Sequence, residues 1–236
     1  MPILTQAAYL PVGNHSGVMS ENLGLIDHVQ QGLGGLFGWF NNPSSGSSST
    51  WWVSKTGQIE QYGDSNTTMW AQMAGNTSYC SVESEGYDNE RDTDQQILAK
   101  ATIYVAGVRW HNWPLALAEA PGMRGFGWHG MGGSAWGGHL GCPGDLRKAQ
   151  RGAVLYIASL VLNPHPLPPE VNDMDDNLFI RWCYMTILMR PVDPSGFAAN
   201  NAWLMAGGPR WDVYAHLYDS PEGQMVTAAR RKAIGV

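Results

Sequence analysis

Alternating apolar and polar residues predict short β-strands in the first part of the chain. The side chains of a strand point to its two faces in turn, with a period of two residues. LGLIDHVQ at 23–30 and CSVESE at 80–85 divide their side chains between two faces in this way, and TWWVSKTGQIEQY at 50–62 contains two short β-prone runs. In this last stretch, Lys-Thr-Gly at 55–57 separates the two runs, which predicts a hairpin.

Two later stretches repeat apolar residues at helical spacing. Thr93 followed by Gln96 fits a capping box, and the apolar residues that come next predict an amphipathic helix over 94–109. Asp145 is predicted to cap a second helix of about 16 residues. The predicted buried stripe of that helix consists of Leu146, Ala149, Ala153, Ile157 and Leu160. Strands that alternate with helices indicate an α/β domain in which helices flank a mixed sheet.

A proline-rich stretch predicts where this domain ends. NPHPLPP at 163–169 has four prolines in seven residues and no periodicity, as expected of a stiff linker. The sequence beyond it is helical in pattern. The predicted organisation is therefore an α/β domain at 1–162, a linker at 163–172 and a small all-α module at 173–236.

Glycine and proline predict two helix ends within this module. Gly207 and Gly208 are predicted to end one helix, while Ser220 and Pro221 are predicted to begin another as its cap and first residue. The module shows no catalytic cluster. Its isolated side chains, His216 and Cys183, are expected to pack in the core.

Composition and charge narrow the possible partners. Only 14% of the 236 residues are charged, against an average of about 25%, while the chain contains 11 tryptophans. Aromatic rings exposed in a groove suit flat ligand faces such as sugar rings. The net charge of −6 offers no basic stripe, so nucleic acid is not expected as a partner.

The cysteine count and the N-terminus predict where the chain is made. Three cysteines cannot form a disulfide framework, which suits synthesis in a reducing cytosol. The first residues lack the pattern of a secretory signal, and no segment reaches the roughly 18 apolar residues of a membrane span. We therefore expect a soluble chain that is made in the cytoplasm and does not insert into membranes.

Candidate metal ligands are concentrated in one glycine-rich stretch. GWHGMGGSAWGGHLGCPGD, from Gly127 to Asp145, contains His129, His139 and Cys142. Histidine and cysteine form a ligand pair that suits zinc, whereas calcium and magnesium prefer oxygens. A loop with a buried thiol is the alternative interpretation of this spacing. A second glycine-rich loop, at 32–50, contains four apolar or aromatic residues, which predicts a rim loop with a hydrophobic anchor.

Four motifs give the chain a family resemblance. They are GLIDHVQQG around His28, SSSTWWVSKTGQIEQY at 47–62, CSVESEGY at 80–87, and the loop that runs from GWHGMGG to GCPGD. In this order they resemble the zinc-dependent peptidoglycan amidase family shared by phage endolysins and peptidoglycan recognition proteins. The resemblance extends from about Asn14 to about Leu162, and four ordered motifs are a specific signal.

The resemblance implies a zinc hydrolase of cell-wall peptidoglycan. An N-acetylmuramoyl-L-alanine amidase cuts the amide bond between the lactyl group of N-acetylmuramic acid and the L-alanine of the stem peptide. His28, His129 and Cys142 would hold Zn²⁺ and leave its fourth position for water, as in other catalytic zinc sites. Glu83 matches the family's catalytic glutamate and would act as the general base. His139 would donate a hydrogen bond to the developing oxyanion.

Two positions depart from the family pattern. Members often have Lys or Thr two residues before the last zinc ligand, where this chain has Leu140, so His139 is assigned in its place. Some members also carry a catalytic tyrosine near the position of Ser49, so this chain would depend on Glu83. As an endolysin, the protein would reach the wall only after release from the cytoplasm, for example through a membrane lesion.

Several alternatives stay open at the level of sequence. The spacing from His139 to Cys142 is itself a plausible ligand spacing, which would remove His129 from the metal. His15 competes with His28 as a ligand, and Glu85 competes with Glu83 as the base. The same fold also serves non-catalytic recognition of peptidoglycan, and a glycan-binding structural protein would hold no zinc.

A weaker resemblance covers about 60 residues of the C-terminal module. The run from IRWCYMTILM to DSPEG is similar to a short helical module of unknown function, also found in some bacterial surface proteins and in lysins. It implies a second module that could bind the cell wall.

Overall fold

The computed structural model describes residues 2–162, 175–208 and 210–233. Within it the chain divides into two units, Met1–Ser159 and Leu160–Val236. The predicted linker at 163–172 lies outside the described residues. None of the helices in the described ranges is long and apolar enough to cross a membrane.

A mixed six-stranded sheet lies at the centre of the first unit. Its strands are β1 (Ala8–Tyr9), β3 (Gly24–Val29), β4 (Trp51–Val53), β5 (Ile59–Gln61), β7 (Cys80–Ser84) and β8 (Gly125–Trp128). Their order across the sheet is β1-β5-β4-β7-β3-β8. The predicted hairpin is confirmed, because β4 and β5 pair antiparallel, and the other neighbours pair parallel. A separate antiparallel pair consists of β2 (His15–Val18) and β6 (Thr67–Met69).

Helices flank this sheet, as the sequence predicts. The helices of the first unit are α1 (Phe37–Phe40), α2 (Asp94–His111), α3 (Asp145–Leu162) and three 3-10 segments at Pro43–Ser45, Met73–Gly75 and His129–Trp136. The predicted capping box is confirmed at the start of α2. Thr93 Oγ1 accepts a hydrogen bond from the backbone N–H of Gln96, and the Gln96 side chain accepts one from the backbone N–H of Thr93.

The predicted buried face of α3 is wrong. The helix begins at Asp145 itself, so this carboxylate lies in the first turn, where it interacts favourably with the helix dipole, instead of preceding the helix as a cap. The residues that α3 buries are Arg147, Arg151, Val154, Leu155 and Ala158. Hydrophobicity alone misassigned this face, because the two arginines are buried through their ion pairs with Asp92 and Glu119.

A buried chain of charges ties α2 and α3 to the sheet. Lys100 Nζ lies 2.6 Å from Oδ1 of Asp27 in β3 and 2.5 Å from Oδ2 of Asp92. Asp92 also pairs with Arg147 of α3. All four side chains are at most 1% exposed. Buried ions of this kind must be paired, so the positions of the three elements depend on one another.

The second unit is helical, which confirms the predicted all-α architecture. It contains α4 (Asp176–Cys183), a π-helical turn at Tyr184–Leu188, α5 (Pro194–Met205), α6 (Arg210–Asp219) and α7 (Pro221–Ala233). The predicted cap of α7 is confirmed by a hydrogen bond of 3.1 Å from the Gly223 N–H to Ser220 Oγ. Cys183 packs in the core as expected. The same expectation is wrong for His216, whose side chain is exposed.

Candidate active site

The register of the sheet places a histidine beside a glutamate. His28 of β3 and Glu83 of β7 are direct partners on neighbouring parallel strands. Their side chains approach each other, with 3.8 Å between Nδ1 of His28 and Oε1 of Glu83. His28 is 2% exposed and Glu83 is 15% exposed. The Glu83 carboxylate therefore lies closer to the protein surface than the His28 imidazole, and both side chains line the same pocket.

The glycine-rich loop brings two further candidate ligands to this point. β8 lies next to β3 and leads directly into the 3-10 segment that begins with His129. The backbone N–H of Gly130 donates to the carbonyl of Cys142 at 3.1 Å, which joins the two ends of the loop. A Cβ atom at Gly130 would lie 2.4 Å from the carbonyl oxygen of Leu140. Only glycine allows this close approach.

His28, His129 and Cys142 converge as one group. The ligand atoms they offer all lie within 4.8 Å of one another. Two imidazoles and a thiol are a donor set that suits zinc, and three protein ligands leave the fourth position of a tetrahedral ion for water. His129 belongs to this group and His139 does not. The arrangement therefore favours His129 over the alternative that replaces it with His139.

Hydrogen bonds from both histidines orient their rings. Nε2 of His28 donates to Oε1 of Gln72 at 3.2 Å, and Nε2 of His129 donates to the carbonyl oxygen of Trp136 at 2.9 Å. Each bond places the ring proton on Nε2 and leaves the lone pair of Nδ1 for a metal. Sequence reasoning missed Gln72, because a glutamine in a loop carries no pattern that predicts such a role.

Burial controls the charges of these groups. Desolvation lowers the pKa of His28 and lowers that of His129 to about 4, so both rings are neutral and able to act as ligands at pH 7. Burial raises the pKa of the Cys142 thiol, and it raises that of Glu83 to about 8. A cation held by these ligands would favour the thiolate and the carboxylate.

Glu83 and Glu85 have different surroundings. Oε2 of Glu83 is buried and has no hydrogen-bond partner among the described residues. Both oxygens of Glu85 accept backbone N–H groups, from Gly34 at 2.8 Å and from Lys55 at 2.7 Å. Glu85 therefore holds two loops together, whereas the Glu83 carboxylate, which lines the cavity, is not engaged in this way.

The other residues considered from the sequence, His139, His15 and Ser49, lie outside the group of candidate metal ligands. His139 is exposed, and its ring centroid lies 5.0 Å from that of His129. His15 lies exposed in β2 and does not join the ligand group. Ser49 Oγ donates to the Trp51 carbonyl and also contacts Ser81 Oγ, so it is buried in the packing of the strands.

Two adjoining cavities meet at Glu83. The candidate ligands, Glu83 and His139 line a cavity of about 590 Å³. A second cavity of about 170 Å³ shares Val29, Ala71 and Glu83 with the first. Its other lining residues include Leu36, Trp39, Phe40 and Trp70. Trp39 is 58% exposed, so the predicted rim loop contributes an exposed aromatic face beside the candidate site.

Comparison with known proteins shows what the fold resembles. No protein-family model and no curated protein matches the chain. A solved selenomethionine derivative of AmpD shares 17% identity, with 65% of this chain and 96% of that one covered and a TM-score of 0.51. The Staphylococcus aureus hydrolase AmiA, solved in complex with its ligand, shares 12% identity over 66% of this chain and 83% of that one, with a TM-score of 0.54. A mutant of PlyL shares 15% identity over 66% and 99% of the two chains, with a TM-score of 0.51. At these identities the similarity establishes the α/β fold of the first unit.

Proposed function

We propose that the protein is a zinc-dependent N-acetylmuramoyl-L-alanine amidase of the endolysin type, with bacterial peptidoglycan as its substrate. The observation that carries this proposal is the convergence of His28, His129 and Cys142 beside the unpartnered oxygen of Glu83. Sequence motifs that resemble the peptidoglycan amidases supply these same four residues. The similarity in fold to AmiA, which is described as a hydrolase, agrees with this assignment.

The donor set fits zinc. Two neutral imidazoles and a cysteine would hold the ion, with Gln72 and the Trp136 carbonyl fixing the two rings. The chemistry that bound zinc supplies in hydrolases is Lewis-acid polarisation of a carbonyl group and a lower pKa of water.

The residues of the chain would divide the proton transfers of amide hydrolysis. The Glu83 carboxylate would accept a proton from the attacking water and return it to the nitrogen of the departing L-alanine. Burial raises the pKa of Glu83, and a cation held beside it would keep this carboxyl ionised and able to accept the proton. His139 lies at the rim of the same cavity, where its imidazole N–H can donate to the oxygen of the scissile carbonyl as charge develops there.

The aromatic cavity fits the glycan side of this substrate. Trp39 is fixed by a hydrogen bond of 2.9 Å from its indole N–H to Ser47 Oγ, and Trp70 lines the same cavity. Flat rings held beside Glu83 can pack against the apolar face of a sugar. They would place the lactyl amide of the muramic acid at the carboxylate.

A single pair of variants tests the proposal. The purified protein should contain about one equivalent of zinc and release L-alanine amino termini from cell walls. Glu83→Gln keeps the shape of the side chain but cannot accept the proton, so it should retain zinc and lose at least about a hundredfold in rate. Glu85→Gln is the control and should remain active.

Two results would overturn the assignment. A silent Glu85→Gln with an active Glu83→Gln would exchange the roles of the two carboxylates. A zinc-loaded protein that binds peptidoglycan without releasing amino termini would instead be a non-catalytic recognition module.

A further inference from the structure

The helical unit contains a cavity that the proposed amidase chemistry does not use. Its volume is about 330 Å³, and it lies between α5 and α6. The described residues that line it are Ala199, Asn200 and Trp203 from α5, and Asp212, Val213 and His216 from α6. These residues belong to the C-terminal module, whose sequence resembles a short helical module of unknown function.

Trp203 gives this cavity a flat aromatic wall. Its side chain is 48% exposed, which is high for so large an apolar group. A Cβ atom at Gly208 would lie 2.1 Å from the indole Nε1, so the backbone of that glycine lies directly against the edge of the ring. A side chain in place of this glycine would displace the ring.

Polar groups surround the aromatic wall. Nδ2 of Asn200 donates to the carbonyl of Gly196 at 2.8 Å and to Tyr184 Oη at 3.4 Å, which leaves Oδ1 of Asn200 as an acceptor. Asp212 and His216 are exposed, and their side chains make no hydrogen bond or ion pair with the described part of the chain. The cavity therefore combines an exposed indole face with side-chain donors and acceptors that are not engaged.

This combination points to a sugar. An indole face packs against the C–H face of a pyranose ring, and carboxylate, amide and imidazole groups bond to its hydroxyl and acetamido groups. Among the described residues that line the cavity there is no lysine or arginine, and the carboxylate of Asp212 would repel phosphate. An anionic wall polymer is therefore a poor match for this cavity.

We propose that this cavity binds an uncharged N-acetylhexosamine unit of a glycan chain, stacked on Trp203 and hydrogen-bonded by Asn200, Asp212 and His216. Its biological role, to hold the enzyme on the glycan strands of the cell wall, rests on the proposed function. A weak second contact raises the effective concentration of an enzyme on an insoluble substrate. The sugar site itself does not depend on amidase activity.

Calorimetric titration of the full-length protein tests this site. The β-1,4-linked tetramer of N-acetylglucosamine is the soluble probe, and glycan strands stripped of stem peptides serve in a sedimentation assay. Neither contains the amide bond that the amidase would cut. Trp203→Ala should weaken binding at least about tenfold, as expected for removal of an aromatic anchor, while Trp203→Phe should recover part of the loss.

Two control variants separate this cavity from other surfaces. Met205→Ala removes an exposed apolar side chain near the end of the same helix and should change the affinity less than about twofold. Trp39→Ala removes the exposed indole beside the candidate active site. It tests whether the probe binds there instead, and the expected result is that Trp203→Ala causes the larger loss.

Three outcomes would overturn the inference: no binding of either glycan, equal binding by the parent and Trp203→Ala, or binding only of an anionic wall polymer. Release of L-alanine amino termini from a soluble muropeptide is measured separately on the zinc-loaded protein. Failure of that reaction would refute the proposed function and would leave the result on glycan binding unaffected.

Discussion

Lys100 provides the sharpest test of how the first unit is held together. It lies between Asp27 and Asp92 with no exposed surface. In Lys100→Met, Asp92 keeps Arg147 as a partner. Asp27, by contrast, has no second hydrogen-bond or ion-pair partner within the described ranges. The variant therefore leaves one buried carboxylate without compensation.

The expected loss of stability follows from this one unpaired carboxylate. Removing one partner of a buried ion pair lowers the free energy of unfolding by about 3–5 kcal/mol, a large part of the total of about 5–15 kcal/mol for a typical protein. For a domain of about 150–250 residues, each kcal/mol lowers the melting temperature by about 2–4 °C. We therefore expect Lys100→Met to melt about 6–20 °C below the parent protein.

Lys55→Met is the matched control. Lys55 also pairs with a carboxylate, at 2.8 Å from Glu90 Oε2, but both side chains are more than one third exposed. An exposed pair contributes at most about 1 kcal/mol, so this variant should melt close to the parent. Melting is followed by tryptophan fluorescence and circular dichroism at pH 7. If the two variants melted at the same temperature, leaving Asp27 without its partner would not lower the free energy of unfolding by the expected amount.

Three further predictions concern the metal ligand, the two units and acid stability. Cys142→Ser should reduce both zinc content and melting temperature, since a metal that binds the folded state stabilises it. A protein truncated after Asn163 should fold, bind zinc and cleave soluble muropeptides at the full-length rate, but lag on intact walls. In the second unit, the hydrogen bond with Arg190 lowers the pKa of Glu222. This pair therefore stabilises the folded state above the ordinary carboxyl pKa, and the contribution is lost as the pH falls. Glu222→Gln should reduce the decline in stability between about pH 5 and pH 3.

Each of these predictions has a result that contradicts it. Full zinc retention in Cys142→Ser, shown by elemental analysis, would remove the thiol from the ligand set. A truncated protein that fails to fold would make the C-terminal helices part of the amidase core, and one that lyses walls at the full rate would give the module another role. An unchanged acid profile in Glu222→Gln, measured by chemical unfolding at each pH, would show that its pair with Arg190 does not act on stability.

The sequence by itself determined the local structure and the order of the elements. The Thr93 capping box, the β4–β5 hairpin and the Ser220 cap are recognisable because each depends on residues a few positions apart. The alternation of strands and helices likewise predicted the mixed α/β fold. The candidate ligands, by contrast, were identified through motifs that resemble a family. Nothing in the spacing from His28 to Cys142 fixes a distance between them.

Only the tertiary structure decided which polar side chains are buried and which lie together. The apolar stripe predicted for α3 pointed to the wrong face, because the buried positions of Arg147 and Arg151 depend on acidic residues that are distant in sequence. Lys100 carried a usable signal, since it falls on the apolar face of α2, where a lysine requires a buried partner.

Gln72 and Trp203 carried no such signal in the sequence. The position of Gln72 matters through a contact with His28 across the fold, and the role proposed for Trp203 depends on a cavity shared with the neighbouring helix α6. Periodicity reports the burial of a face, whereas the pairing of buried charges and the shape of a cavity exist only once distant segments have packed together.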